Sequence, residues 1–234
     1  SATAAWAALP SSPQEDSSRG YVLEASSTNF GALAPGGATA SSQTTAVAAS
    51  TLTLTGLARN TTWFYRVGAL NWNSERTYAI LGSSSTRTQL VSAAQVFNTF
   101  ETSATINWAA LPSSPQDSSS EGYAVEASST DFGALAPGGD ILSSRTASVA
   151  LSTLTVPSLL ADTTYFYRVA SLNWPSHPNL VAGLSSATFA VPPAAPAYST
   201  IHPTSMTVTW TAVQSQGYEL QASVNPTFTP LFFS

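Results

Sequence analysis

The chain has 234 residues, of which 8% are charged, and a formal net charge of −5 carried against only seven cations, all arginine. That balance argues against a nucleic-acid binder, which needs a cationic surplus to neutralise phosphates. No apolar run approaches the 18 or so residues needed to cross a bilayer as a helix, so no membrane insertion is expected in this segment. There are no cysteines, which removes disulfides, thiolate metal sites and a Cys nucleophile. At 43% hydrophobic and 10% aromatic residues, there is ample material for packed cores.

The opening SATAAWAALPSSPQ returns at Ser103 as SATINWAALPSSPQ. A shift of 102 residues aligns 1–86 with 103–188 without a gap, with more than half the positions identical. Trp6 falls on Trp108, and a third copy places Trp210 one period further on, in SMTVTWTAV. It continues as GYELQAS after a connection seven residues shorter. A period near 100 residues is too long for a solenoid and suits a string of small domains. The expected division is 1–91, 92–193 and 194–234, here units 1, 2 and 3.

Within a unit the apolar period is two, the mark of half-buried strands. In chain order for unit 2, AQVFNTF at 94–100 reads as a first strand. Ala104, Ile106 and Trp108 then alternate with polar neighbours. Tyr123, Val125 and Ala127 form the next strand, followed by Leu154 and Val156, then Leu159, and then Tyr165, Tyr167 and Val169. Ser, Pro, Gly and Asp cluster between these runs, and Pro137-Gly138 suits the centre of a type II turn. No segment carries an apolar stripe at helical spacing. The expectation is an all-β domain of about seven short strands.

These residues resemble the fibronectin type III family: a core Trp ending an early strand (Trp108), Gly122-Tyr123 opening the third, and Leu159 followed by Thr163, Tyr165 and Val169. The phrase FYRVGALNW at 64–72 is also similar to fibronectin-type units of very long bacterial surface proteins. The resemblance covers essentially the whole chain. It implies tandem immunoglobulin-like Greek-key β-sandwiches, with strands A, B and E facing C, C′, F and G. It also implies a tyrosine corner, whose hydroxyl bonds back to the backbone. Unit 1 has Trp63 at that corner, and an indole N–H can only donate.

By the same mapping unit 1 lacks strand A. Unit 3 offers AYSTI, SMTVTW and GYELQAS and stops short of a full sandwich. A chain opening on Ser rather than Met is expected to be processed or trimmed. Two explanations compete: a window on a longer string of such domains, or subunits that complete one another by strand addition. The second makes a head-to-tail polymer.

The search for chemistry is short. His177 and His202 do not recur between copies and have no metal-ligand spacing. No GxSxG or phosphate-cradling GxxxxGK occurs. Neither a catalytic residue, a cofactor nor a metal site is assigned, and the chain is not expected to be an enzyme. Glu15-Asp16 and Asp117/Glu121 read as solvated loop acids in preference to a weak Ca²⁺ site. Asn60-Thr61-Thr62 has the form of a glycosylation sequon, although Asp162 in the second copy favours a local turn entering strand F. Glu24/Glu126 and Arg66/Arg168 are expected to pair across strands C and F on the outer face.

Four aromatic residues form the candidate interaction surface: Phe64 and Phe166 on the outer face of strand F, and Trp72 and Trp174 in the F–G connection. Packing, assembly contacts and stacking on a sugar ring are the open roles. The sequence thus points to a structural protein, an extracellular or cell-surface filament, stalk or sheath whose partner is itself. The alternative is an adhesive or glycan-binding spacer module of a larger secreted protein.

Overall fold

The computed structural model describes residues 1–31, 37–133 and 140–228. The Pro137-Gly138 turn lies outside the described residues. Unit 1 contributes β1 (Ala2–Ala5), β2 (Gly20–Ser26), β3 (Thr39–Thr44), β4 (Thr51–Leu54), β5 (Thr62–Leu70) and β6 (Arg76–Ser85). Unit 2 contributes β7 (Ser92–Thr99), β8 (Ser103–Ala109), β9 (Tyr123–Ser128), β10 (Ile141–Thr146), β11 (Thr153–Pro157), β12 (Thr164–Leu172) and β13 (Pro178–Ala187). Unit 3 contributes β14 (Ala194–Ile201) and β15 (Met206–Thr211). The only helical turns among the described residues are two three-residue 3-10 segments, Gln14–Asp16 and Gln116–Ser118.

In unit 2 a three-stranded sheet of order β11-β8-β7 faces a four-stranded sheet of order β10-β9-β12-β13, with every pair antiparallel. That is a Greek-key sandwich with A, B and E on one side and C′, C, F and G on the other. Period-two alternation places Ala104, Ile106 and Trp108 inward from β8 and Tyr165, Tyr167 and Val169 inward from β12, all buried. Each large side chain so buried contributes about 1.5–3 kcal/mol of hydrophobic stabilisation. Trp108 tilts against Tyr123 with ring centres 5.1 Å apart, and Trp6 with Tyr21 and Trp210 with Tyr218 repeat the pair at 5.3 and 5.4 Å.

The Gly-Tyr signature has a local cause. Gly122 has φ +139°, and a Cβ there would sit 2.1 Å from the Thr146 carbonyl oxygen; Gly20 repeats this against Thr44. Only glycine fits where the third strand meets its C′ neighbour so closely. The next residue, Tyr123, accepts from the Leu111 N–H at 2.7 Å and donates to the Val149 carbonyl at 3.1 Å, tying the B–C loop to the loop after C′. Tyr21 does the same with Leu9 and Val47.

The corner follows the expectation in unit 2, where Tyr165 Oη accepts from the Leu160 N–H at 3.0 Å. In unit 1 the polarity is inverted: Trp63 Nε1 donates to the Ala58 carbonyl at 3.4 Å. The indole has no lone pair to offer, so the backbone supplies the acceptor instead.

Unit 1 has the same C′-C-F-G sheet, β3-β2-β5-β6, but its second sheet is only β1-β4. Its core cluster is correspondingly small, built from Leu23, Ala25, Leu54 and Trp63. In unit 3, β14 pairs with β15, and every residue of β14 is exposed. GYELQAS forms no continuous strand there. The matching strand of units 1 and 2 is held on both sides by C′ and F, which unit 3 does not supply among the described residues.

Candidate functional site

The predicted cross-strand pair forms and is more enclosed than an outward-facing pair should be. Arg66 donates from Nε and Nη2 to Glu24 Oε2 at 2.8 and 2.6 Å, and Arg76 reaches Glu24 Oε1 at 2.7 Å. Aromatic rings cover it: the Arg66 guanidinium carbon lies 3.9 Å from the centre of the Phe30 ring and 3.8 Å from that of Tyr78. Arg168, Glu126 and Phe132 repeat the arrangement in unit 2. The Glu24 carboxylate takes three guanidinium hydrogen bonds and that of Glu126 takes one, which makes this a stack that braces the sheet.

The four candidate aromatics do not form one patch. Phe64 and Phe166 are half-buried on β5 and β12, interior strands flanked on both sides. Trp72 lies eight residues on, about 25 Å at strand rise, at the opposite pole. Trp72 and Trp174 stand out from equivalent F–G turns, 68% and 61% exposed. Arg19 caps Trp72, with Nη1 donating to its carbonyl at 3.0 Å and the guanidinium carbon 5.6 Å from the ring centre.

The densest polar cluster is the joint between units 1 and 2. It begins with a local conformation: Asn60 and Asp162, the residues turning into the F strands, have φ of 45° and 51°. That left-handed region is entered most readily by Asn and Asp after glycine. The turn drives the Asn60 side chain out of unit 1 and into unit 2, where it is fully buried. Its Nδ2 donates to Glu121 Oε1 at 3.1 Å, and Gln116 Nε2 donates both to the Asn60 carbonyl at 3.3 Å and to Glu121 Oε1 at 2.8 Å.

On the other flank, Asn173 Nδ2 donates to the carbonyls of Ser85 and Thr86, each at 3.2 Å. Ser171 Oγ donates to the Gln89 carbonyl and hydrogen-bonds Thr88 Oγ1, both at 2.6 Å, while Asn179 Nδ2 donates to the Thr88 carbonyl at 2.8 Å. Asn173, Ser171 and Thr88 are buried, and Val91 is packed into the core of unit 2. The connecting segment is therefore anchored at Thr88, at the Gln89 carbonyl and at Val91. A buried, largely satisfied polar network fixes geometry, because each broken bond leaves a desolvated group behind.

A second feature is a groove of about 480 Å³ in unit 1, lined by Ser1 to Ala5, Leu23, Tyr65, Leu81 and Ser83 to Thr86. In unit 2, β7 lies against the equivalent surface, pairing with β8 and packing Ala94 and Val96 onto the core. Burial raises the pKa of Tyr65, and pushes that of the fully enclosed Tyr167, with the neighbouring Tyr165 adding to it, up to about 12.

The strand order of unit 2, its Gly-Tyr staple and its tyrosine corner decide the architecture. The fold is that of fibronectin type III domains in tandem. No protein-family model and no curated protein matches the chain. Among solved structures it is similar to a two-domain fibronectin type III segment from chicken tenascin, at 17% identity over 77% of this chain and 88% of that one, with a TM-score of 0.39. The FN1–FN3 domains of chicken CNTN1 are 14% identical over 77% of this chain and 60% of theirs, with a TM-score of 0.33. A computer-redesigned β-sandwich protein is 23% identical over 44% of this chain and 98% of its own, with a TM-score of 0.31.

Among the described residues of the two fibronectin type III sandwiches and unit 3, no group of three or more His, Asp or Glu side chains gathers as a metal site. His177 and His202 lie exposed in turns. Glu121 is held by Asn60 and Gln116 at the joint. Among the described residues no helix is long and apolar enough to cross a membrane. Sequence reasoning missed Asn60 and Asn173 as joint residues. The available signals were the Asx before each Thr-Thr-aromatic run and the repeated Leu-Asn-Trp.

Proposed function

We propose that this chain is a non-catalytic structural segment, a stiff run of stacked sandwiches in an extracellular or cell-surface filament, stalk or sheath. The supporting observation is the joint: Asn60, Ser171 and Asn173 are fully buried, and the segment connecting the two units is pinned by the buried Thr88 and Val91. Relative motion is the default for tandem domains with small polar interfaces. A hydrogen-bonded network that crosses the interface at two flanks opposes it. Its partners are other units of the same kind. In the polymerising form of this reading, the unit 1 groove takes an A strand from a neighbouring copy, as β7 fills the equivalent groove of unit 2. Electron microscopy of native material tests the reading. Long fibres with an axial repeat of a few domain lengths support it, and monodisperse compact particles contradict it.

The exposure of Trp72 and Trp174 at equivalent turns favours a second reading, an adhesive or glycan-binding spacer in which these indoles stack on sugar rings. A glycan array decides it: binding lost in Trp72→Ala and Trp174→Ala supports adhesion, and an empty array removes it.

A further inference from the structure

Unit 1 carries, at its N-terminal pole, the same set of positions with which unit 2 grips unit 1. Gln14 stands for Gln116, Asn71 for Asn173 and Arg19 for Glu121. Gln14, Arg19 and Asn71 line an open cavity of about 470 Å³ together with Glu15, Ser17, Ser18 and Trp72, and Glu15 stands where unit 2 has the acidic Asp117, so Arg19 is the position at which the charge differs. In unit 2, Gln116 and Glu121 close on Asn60, and Asn173 on the carbonyls of Ser85 and Thr86. Asn71 is oriented as its counterpart is. Its Oδ1 accepts from the N–H groups of Asn73 and Glu75, each at 2.9 Å, much as Asn173 Oδ1 accepts from His177. The Asn173 Nδ2 is spent on the preceding unit, whereas Asn71 Nδ2 makes no hydrogen bond and the residue is exposed. Ser119 and Ser120 are buried by the joint, while Ser17 and Ser18 remain half-buried.

The one large chemical change in the set reverses a charge. Unit 2 presents a carboxylate, Glu121, to an amide corner; unit 1 presents a guanidinium, Arg19, at the same position. The corner residue also varies, from Asn60 in unit 1 to Asp162 in unit 2, with the same left-handed backbone. An Asp corner is repelled by Glu121 and attracted by Arg19. An Asn corner fits Glu121, although its own Oδ1 is left buried without a partner there. An Asp corner seated on Arg19 has both oxygens facing donors.

We propose that the N-terminal pole of unit 1 is a docking socket for the C-terminal pole of another sandwich of this repeat, one whose corner residue is Asp. Arg19 receives the carboxylate, and Asn71 Nδ2 receives the carbonyls at the end of the incoming G strand. The corner residue and its opposing residue together act as a matching code that sets which unit stacks on which, because like charges at the contact exclude the wrong neighbour. This inference rests on the stacked reading above.

The test titrates the ¹⁵N-labelled full chain with unlabelled residues 88–193, which keep Thr88 and Val91 against the unit 2 core, are first checked for a cooperative thermal melt, and leave the Asp162 pole free of unit 3. Shifts confined to Arg19 Nε, the Asn71 side-chain amide and the Trp72 indole, lost in Arg19→Glu and regained with an Asp162→Arg probe, are the expected result. A silent titration up to 1 mM probe (about the weakest affinity of interest), or shifts that survive Arg19→Glu, overturns the proposal.

The full chain gives an independent arm. Asn60→Asp sets two carboxylates together and lowers about tenfold the protection of the residue 60 amide, which is bonded to the Arg87 carbonyl at 3.1 Å. Adding Glu121→Arg restores it, recreating the proposed pair. A double variant no better than Asn60→Asp overturns the matching code even when the titration responds. A wild-type joint that is already loose would instead sink the stacked reading itself, so the two failures are distinguishable.

Discussion

Asn60 of unit 1 donates from Nδ2 to Glu121 Oε1 of unit 2 at 3.1 Å, and the asparagine is fully buried at the joint. Gln116 closes the triangle by bonding both. Truncating Asn60 to Ala leaves Glu121 with fewer donors and opens a void at the interface. We expect Asn60→Ala to loosen the joint by about 1–3 kcal/mol, the usual cost of leaving a buried polar partner unpaired. Hydrogen exchange at the residue 60 amide, bonded to the Arg87 carbonyl at 3.1 Å, reads this, and the core amides of β9 should be unaffected.

The two classes of left-handed glycine separate strain from collision. Gly122→Ala forces a methyl group to 2.1 Å from the Thr146 carbonyl at φ +139°, and should cost about 3 kcal/mol from combined backbone strain and overpacking. Gly56 has φ +71° with nothing within 4 Å of the added carbon. Unit 2 has Ser158 at the equivalent position with φ 63°. Gly56→Ser should therefore cost only about 1 kcal/mol. Denaturant midpoints of the two variants provide the comparison.

Tyr167 gives unit 2 an alkaline limit. Burial pushes its pKa to about 12, against an unfolded value of about 10. The folded state therefore holds the phenolic proton more tightly. Below pH 10 both states are protonated and the contribution is constant. As pH rises from about 10 towards 12 the unfolded chain ionises first, and stability falls. Tyr167→Phe removes this part of the slope. Because Tyr167 Oη is buried with no hydrogen-bond partner, the variant should also be neutral or stabilising by up to about 1 kcal/mol at pH 7. Thermal melts across pH 8–12 check both statements.

The groove in unit 1 makes a prediction in trans. A peptide with the sequence of residues 92–100 should bind there as a strand beside β1, shifting the amide signals of Ala2 to Ala5 and leaving β8, already paired, unchanged. At tenfold excess over its Kd it should stabilise unit 1 by about 1.4 kcal/mol. A peptide carrying Asp in place of Val96 should do neither, because it places a charge on the core face.

Much of the fold could be read directly. Period-two alternation at Ala104, Ile106 and Trp108, and at Tyr165, Tyr167 and Val169, fixes which side of each strand faces the core, since a slip of one residue would invert it. The Glu24–Arg66 pair followed from strand adjacency alone. Its enclosure did not, because Phe30 and Tyr78 reach it from a loop and a neighbouring strand that no local pattern connects to it. The strand expected at GYELQAS failed because a strand needs ladder partners as well as alternation. The joint was the least legible part. Asn60 looked like a sequon or a turn, and only the packing of two units shows that its side chain belongs to the next one. Trp72 and Phe64 shared a face in projection, but strand length separates them.

Residual dipolar couplings of the intact chain test the stacked joint most directly, because they report the relative orientation of unit 1 and unit 2 in solution. A single alignment tensor fitting the amides of β2, β5, β9 and β12 together, and splitting in two on Asn60→Ala with Asn173→Ala, is the predicted result. Two independent tensors in the unaltered chain would contradict it.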